Sequence, residues 1–207
     1  RKKYLLKLAS GEMIGCFGLT EPDHGSDPGS MATRAEKVVG GYKLTGNKMW
    51  ISNSPIADIA VVWAKLDGNI RGFIVERGTK GFETPKIEGK LSLRASITGE
   101  IVLDGAVVPE ENLLGKLGDG MKIGLATLDN GRIGVAAQAL GIAQGAMEAA
   151  IKYAKERQQF KRPIASQQTI QNYIADMATE IMAARLLLYR SCELKDAGAP
   201  FGCEASM

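Results

Sequence analysis

The hydrophobic pattern of this chain changes its period near Gly115, and that change constrains the fold more than any other feature. Before Gly115, apolar and polar residues alternate in six short segments, as expected for half-buried strands. The segments are residues 32–39, 42–51, 59–64, 71–76, 83–91 and 100–107. After Gly115, apolar residues recur at steps of three and four, which is typical of helices. The sequence therefore predicts an α+β protein, with a small β-barrel or sandwich followed by part of a C-terminal antiparallel helix bundle.

Glycines mark the predicted turns and the limits of the β part. Gly40-Gly41 and Asp67-Gly68 each separate two alternating segments, which is typical of two-residue hairpin turns. The first residues predict the end of a helix that stops at Gly11. We therefore expect three parts: residues 1–13 from a largely absent N-terminal helical domain, residues 14–114 as the β domain, and residues 115–207 as the first bundle helices.

The helical part predicts two long helices. The first carries a stripe of about nine turns formed by Met121, Leu125, Leu128, Arg132, Val135, Ala139, Ile142, Ala146, Ala149 and Tyr153. At ~1.5 Å per residue this helix would be on the order of 50 Å long, so we expect it to form an oligomer interface. The second helix opens near Ser166 and ends at residues 196–200. Its stripe is Ile170, Ile174, Met177, Ile181, Ala184, Leu188 and Ser191.

Composition and charge argue against several classes of function. A net charge of +3, without blocks of like charge, argues against nucleic acid as a partner. The single histidine, His24, argues against a His-rich metal site and a Ser-His-Asp hydrolase. Cys16, Cys192 and Cys203 are an odd number without C-x-x-C spacing, which favours a reducing compartment. No apolar run approaches the length of a membrane span, so no membrane insertion is expected.

The loop at residues 15–28 carries the densest group of potential ligand contacts. A short apolar strand signal leads into a run of Thr, Glu, Pro, Gly, Ser and Asp. Gly18 and Gly25 would let a planar or phosphorylated ligand approach the main chain. The hydroxyls of Thr20 and Ser26 can donate or accept hydrogen bonds. From the spacing alone, a plain surface turn between two strands explains the loop equally well.

Two motifs stand in the order and at the separation of one family's signature. They are Cys16-Phe17-Gly18-Leu19-Thr20-Glu21-Pro22 with Gly25-Ser26-Asp27, and Met49-Trp50-Ile51-Ser52-Asn53. On these residues the chain resembles the acyl-CoA dehydrogenases, flavoproteins that oxidise the α,β bond of acyl-CoA thioesters. Residues 15–112 look most like glutaryl-CoA dehydrogenase, whereas residues 113–207 look like the short-chain or butyryl type. Because the halves differ, the resemblance does not fix the acyl chain.

The resemblance implies an FAD site built from both halves of the chain. Its cofactor contacts would be Phe17, Leu19, Thr20, Gly25, Ser26, Trp50, Ile51, Ser52, Arg157, Phe160 and Gln168. In the family this tryptophan lies against the flavin ring, and the hydroxyl two residues later lies near the reactive nitrogen. The arginine and the phenylalanine reach the FAD of a neighbouring subunit. On general grounds Trp50 would more often pack in a core or at its rim, so both interpretations stay open.

The resemblance also implies a substrate site and catalytic group. Acyl-CoA would contact Ser26, Asp129 and Arg132. Arg132 interrupts an apolar stripe, and a structural ion pair or a side chain extended to solvent explains it equally well. The catalytic glutamate of most members is expected beyond Met207, and the position that serves a minority of members is Gly131 here. This stretch alone is therefore not expected to turn over acyl-CoA.

Partners follow from the same resemblance. They are an acyl-CoA substrate, an electron-transfer flavoprotein and further copies of the chain in a homotetramer, in a bacterial cytoplasm or a mitochondrial matrix. No metal is expected. The alternatives are an inactive flavin-binding or oligomerisation module, and an acyl-CoA oxidase that uses oxygen directly.

Overall fold

The chain forms two compact units, residues 1–124 and residues 125–207, which we call the β unit and the helical unit. The computed structural model describes residues 3–115 and 119–207. Residues 1–2 and 116–118 belong to the predicted first and last parts of the chain and lie outside the described residues.

Strands dominate the first unit and helices the second. The helices are α1 (Leu5–Ser10), α2 (Gly120–Glu156), α3 (Gln168–Asp196) and α4 (Gly202–Ser206). The strands are β1 (Gly15–Gly18), β2 (Arg34–Val38), β3 (Gly41–Ser52), β4 (Ile59–Leu66), β5 (Asn69–Glu76), β6 (Phe82–Glu83), β7 (Thr98–Pro109), β8 (Leu113–Leu114), β9 (Gln158–Gln159) and β10 (Arg162–Pro163). The predicted α+β organisation is confirmed. Among residues 3–115 and 119–207, none of the helices combines the length and apolar character needed to cross a membrane.

Eight strands form one mixed sheet in the β unit. Their order is β6-β7-β3-β2-β4-β5-β8, and β1 pairs in parallel with β4. The long strands β3 and β7 pair antiparallel over most of their length. Leu44, Val62, Phe73 and Ile101, all 0% exposed, lie at the centre of the core. This sheet positions the loop after β1 beside the end of β3.

Turn chemistry explains the short connections. Asp67 and Gly68 have φ of 50° and 75° and link β4 to β5 as a two-residue turn, as predicted. The first hairpin turns one residue earlier than predicted, because Val38 pairs with Gly41. Gly41 is inside the sheet, where an added Cβ would lie 1.9 Å from the Val108 carbonyl oxygen. At the start of the chain, α1 ends at Gly11 with φ of 78°, which confirms the predicted stop.

The predicted strand at residues 83–91 is wrong over most of its length. Only Phe82–Glu83 pair with β7, and one isolated bridge joins Lys86 to Gly99. Beside this bridge the Glu100 N–H donates to the Pro85 carbonyl and the Ile87 N–H donates to the Thr98 carbonyl, and the rest of the segment is a loop. Pro85 has no N–H to donate, so regular pairing stops near the start of the predicted segment.

The predicted stripe of α3 is partly buried in the helical unit, whereas the predicted stripe of α2, which we expect to form an oligomer interface, lies largely on its surface. Ile181 and Ser191 of the α3 stripe are buried. By contrast, four large members of the α2 stripe are 49–67% exposed: Leu125, Val135, Ile142 and Tyr153. A different face of α2, with Ile133 and Leu140, lines a groove of about 380 Å³ with α3 and α4. The second helix also begins two residues later than predicted, because the Ser166 hydroxyl donates to the Pro163 carbonyl at 2.7 Å.

Candidate functional site

A β-bulge near the end of β3 turns Trp50 outward. Lys48 pairs with Ile101 and Ile51 pairs with Gly99, so three steps along β3 match two along β7. Trp50 takes up the extra residue with φ of 62°, a left-handed conformation that is strained for a bulky side chain. Its side chain is 58% exposed, so Trp50 does not pack in the core of this unit.

The loop after β1 is bonded to this bulge. The Met49 N–H donates to the Thr20 carbonyl oxygen at 2.9 Å. Within the loop, Glu21 and His24 exchange two main-chain hydrogen bonds, of 3.1 and 3.3 Å. These bonds fix the main chain after Thr20. The structure therefore brings the two predicted cofactor motifs together, with Thr20 on one and Trp50 on the other.

Several polar groups of the joined motifs are free to bind a ligand. In the part of the chain that the structure describes, the hydroxyls of Thr20, Ser26 and Ser52 have no hydrogen-bond partner, and neither has the Thr20 N–H. Gly25, Ser26 and Ser52 are exposed, and Thr20 is half-buried. Unsatisfied donors and acceptors beside an exposed aromatic ring fit a planar ligand with polar edges. A flavin has this chemistry.

Three predicted cofactor residues contribute mainly to packing in this unit. Phe17 packs against Trp63 with ring centroids 5.8 Å apart and planes inclined by 59°. Ile51 is 3% exposed and belongs to the core, so only its main chain is available to a ligand. Leu19 is half-buried, and its carbonyl oxygen accepts a hydrogen bond from Lys48 at 3.2 Å.

Phe160 stands at the tip of a strained hairpin in the helical unit. Gln159 pairs with Arg162 across β9 and β10, which leaves Phe160 and Lys161 as the turn. Their φ values are 51° and 61°, although left-handed turns of this type favour Asn-Gly. Phe160 is 85% exposed. Strain that presents an exposed aromatic ring is typical of functional positions.

The other predicted residues of the helical unit lie on the helices or directly after one. Arg157 follows α2 directly, and Gln168 is the first residue of α3; both are exposed. Arg132 Nη1 donates to Asp129 Oδ1 at 2.6 Å and to the Ser206 hydroxyl at 3.1 Å. The structure thus shows the ion pair that the sequence left open as one explanation of Arg132. A substrate contact by Asp129 and Arg132 stays a prediction.

A buried ion pair beneath the joined motifs was missed by the sequence analysis. Lys48 Nζ lies 2.8 Å from Glu21 Oε1, and the two side chains are 0% and 4% exposed. Glu21 also accepts from the main-chain N–H groups of Ala32 at 2.6 Å and Thr33 at 3.0 Å, and from the Thr33 hydroxyl. Burial alone would raise the pKa of Glu21, but the hydrogen bonds from these neighbours lower that pKa to about 2. Burial lowers the pKa of Lys48, and the contact with Glu21 opposes that shift.

The alternation of β3 contains a signal for this pair. Tyr42, Leu44 and Lys48 share one phase of the strand, so the period of two directs Lys48 into the core with the other two. A buried lysine needs a carboxylate partner. Glu21, in the first motif, is the partner that the fold supplies.

Comparison with known proteins assigns both units to one family. Residues 16–106 match the acyl-CoA dehydrogenase middle domain, and residues 118–207 match the acyl-CoA dehydrogenase C-terminal domain. The chain belongs to the acyl-CoA dehydrogenase family, as its two motifs predicted.

Individual relatives show the same likeness over both halves of the chain. An acyl-CoA dehydrogenase of Bacillus subtilis (strain 168) is 50% identical over 212 residues, which cover 100% of this chain and 56% of that protein. The butyryl-CoA dehydrogenase structure from Megasphaera elsdenii has a TM-score of 0.92 at 45% identity, covering 99% of this chain and 55% of that one. A glutaryl-CoA dehydrogenase from Mycobacterium smegmatis in complex with FADH2 has a TM-score of 0.93 at 41% identity, covering 99% and 53%. The chain spans about half the length of the relatives it matches.

Proposed function

We propose that this chain is the flavin-binding part of an FAD-dependent acyl-CoA dehydrogenase that oxidises the α,β bond of a short-chain acyl-CoA or glutaryl-CoA. One observation carries the proposal: the Met49 N–H···O=C Thr20 hydrogen bond joins a loop with unsatisfied polar groups to an outward-turned tryptophan. Family membership supports the reaction class. Bound FAD would supply the acceptor for the hydride that leaves the β carbon.

Residues of the β unit would hold the flavin ring. The exposed face of Trp50 offers a stacking surface that excludes water from one side of a planar ring. The Ser52 hydroxyl and the Thr20 N–H have no partner among the described residues, so each can donate to an electron-rich ring edge. Donors fixed before the reaction stabilise negative charge as it develops on the ring. Gly25 and Ser26 leave the loop main chain open to a second ligand group.

Residues of the helical unit would complete the cofactor site in another copy of the chain. Phe160 and Arg157 lie at an exposed connection, and the left-handed turn projects the aromatic ring into solvent. An arginine suits a pyrophosphate because its planar fork donates to two oxygens at once. Gln168, exposed at the start of α3, would contact the adenosine side. This arrangement supports a homo-oligomer, for which we propose a tetramer.

Substrate, base and electron acceptor complete the proposal. Ser26, Asp129 and Arg132 would contact acyl-CoA, with the guanidinium of Arg132 held by its ion pair to Asp129. We assign the removal of the α proton to none of the described residues. An electron-transfer flavoprotein would reoxidise the cofactor, and three free cysteines fit a reducing cytoplasm or matrix.

The test uses the polypeptide at the length at which the cell makes it. The purified protein should show the absorbance spectrum of bound flavin. Under anaerobic conditions, butyryl-CoA or glutaryl-CoA should reduce the flavin and bleach this absorbance. Turnover in air should require an electron-transfer flavoprotein. Peroxide formation without that partner would identify an oxidase instead, and bound flavin that no acyl-CoA bleaches would identify an inactive binding module. A folded protein that is colourless and does not bind added FAD would refute the proposal.

A matched pair of serine variants tests the assigned donor. Ser52→Ala should slow flavin bleaching by roughly tenfold or more, because it removes a donor to the charge that develops on the ring. Ser92→Ala, in the exposed loop between β6 and β7, is the control and should bleach at the normal rate. Equal rates for the two variants would contradict the role given to Ser52.

A further inference from the structure

Lys48 contacts a main-chain carbonyl as well as its ion-pair partner. Its Nζ lies 3.2 Å from the carbonyl oxygen of Leu19 and 2.8 Å from Glu21 Oε1. The sulfur of Met31 lies 3.9 Å from the same nitrogen. Lysine usually extends its ammonium group to solvent, so a side chain with 0% exposure requires specific acceptors. The fold therefore holds this charge against the peptide group between Leu19 and Thr20.

Stability alone does not account for this arrangement. Glu21 already accepts hydrogen bonds from Ala32 and twice from Thr33, so its charge is shared among several donors. Replacing a buried ion pair by apolar residues of similar volume is often neutral or stabilising. A charge retained in the core beside a ligand-facing loop points to a role in that loop.

The peptide that Lys48 contacts has an unsatisfied N–H. The Leu19 carbonyl accepts from Lys48, whereas the Thr20 N–H of the same peptide has no partner among residues 3–115 and 119–207. Hydrogen bonds in a chain polarise one another, and a charged donor at the carbonyl strengthens the N–H at the other end. The Met49 N–H bond to the Thr20 carbonyl fixes the direction of the next peptide. The result is a rigid and strengthened donor in the ligand-facing loop.

We propose that Lys48 is a positioning residue that acts through the Leu19 carbonyl, making the Thr20 N–H a strengthened donor that favours the reduced, anionic flavin. The inference rests on the proposed function and adds a residue that does not itself touch the cofactor. A strengthened donor stabilises the negative charge of the reduced ring more than it stabilises the neutral oxidised ring. Lys48 therefore raises the reduction potential of bound FAD.

The test measures the two-electron reduction potential of bound FAD by anaerobic dye equilibration, in the polypeptide at its natural length. Lys48→Met should weaken the preference for reduced over oxidised flavin about tenfold, which lowers the potential by ~30 mV. The double variant Lys48→Met/Glu21→Gln removes both charges and avoids an unpaired buried carboxylate. It should show the same lowering, because the ammonium on the Leu19 carbonyl is absent in both. Lys43→Met removes a charge from the surface of the same strand and should leave the potential unchanged.

The outcomes test the role of Lys48 separately from the proposed binding of FAD. A double variant with the wild-type potential would overturn it, because the effect of Lys48→Met would then be a plain charge effect that Glu21→Gln cancels. Variants that lose FAD affinity and thermal stability without any change in potential would also overturn it, since they would show a structural role only. In both cases a wild-type protein that binds FAD leaves the proposed function standing. A wild-type protein that binds no FAD would refute the proposed function itself.

Discussion

Glu21→Gln should remove most of the acid sensitivity that the buried ion pair gives to the β unit. The substitution keeps the size of the side chain and one acceptor oxygen, but it removes the charge. In the native chain that charge accepts from Lys48 Nζ at 2.8 Å and from the Ala32 N–H at 2.6 Å. Hydrogen bonds to the ionised form stabilise it over the protonated form.

The magnitude follows from the pKa of Glu21. Its ordinary pKa is 4.5, and the pKa in the folded protein is about 2. At 1.36 kcal/mol per pKa unit, the difference contributes about 3 kcal/mol to the free energy of unfolding at neutral pH. Because the folded pKa is the lower one, this contribution is complete above about pH 5 and is lost progressively as the pH falls from 4.5 through about 2.

Urea denaturation from pH 7 to pH 2, followed by tryptophan fluorescence, measures the effect. Trp63 is 1% exposed and reports unfolding of the β unit. The wild type should exceed Glu21→Gln by about 3 kcal/mol at pH 7, and the two curves should nearly meet at pH 2, where about half of Glu21 is protonated in the folded protein. Glu110→Gln is the control, since its pair with Lys37 is exposed at 3.6 Å and contributes under ~1 kcal/mol. Parallel curves for wild type and Glu21→Gln, without convergence, would refute the reasoning.

Two further predictions concern left-handed and crowded main-chain positions. The double variant Phe160→Asn/Lys161→Gly should stabilise the helical unit by about 1 kcal/mol in thermal unfolding, because it places Asn-Gly in a left-handed turn. The same variant should weaken FAD binding at least tenfold, because it removes the proposed contact of Phe160 with the cofactor. Unchanged stability would contradict the strain argument. Gly41→Ala should lower the free energy of unfolding in urea by more than about 3 kcal/mol, because the added Cβ would lie 1.9 Å from a carbonyl oxygen. The control is Gly40→Ala, whose Cβ meets no atom within 4 Å and which should lower that free energy by only about 1 kcal/mol. Equal costs would show that the sheet gives way at this position.

Local chemistry made most of the β unit predictable. The alternating segments predicted β2 to β5 and β7 to within a few residues, and the dipeptide Asp67-Gly68 predicted the turn between β4 and β5. The segment at residues 83–91 was different, because Pro85 has no N–H to donate and only Phe82–Glu83 pair in a regular ladder with β7. The alternation of apolar residues continues past this proline, so the pattern alone overestimates the length of the strand.

The helical unit shows a different limit. In α2 nearly every face carries alanine, glycine or a large apolar residue, so several stripes have the correct period. The sequence identified the helix but not the face that packs on α3. In α3 the predicted stripe contains the buried residues Ile181 and Ser191, whereas a second apolar set, Met182, Leu186 and Tyr189, is 54–62% exposed. A helix with more than one apolar face cannot be oriented without the elements that pack on it.

The sequence does not reveal the bulge at Trp50, because near the end of β3 both alternating phases carry an apolar residue, Trp50 in one and Ile51 in the other. An unbroken period of two would carry Lys48 and Trp50 into the core together and turn Ile51 outward. The extra residue reverses this, so Lys48 and Ile51 are both buried and Trp50 is 58% exposed. Burying Ile51 contributes about 2 kcal/mol, which is similar to the roughly 1–3 kcal/mol of strain in a left-handed tryptophan. With these effects nearly balanced, the bonds from Met49 to the Thr20 carbonyl and from Lys48 to Glu21 decide the outcome. Those bonds join segments far apart in sequence, so the contacts that accompany the outward turn of the tryptophan also hold the loop after β1.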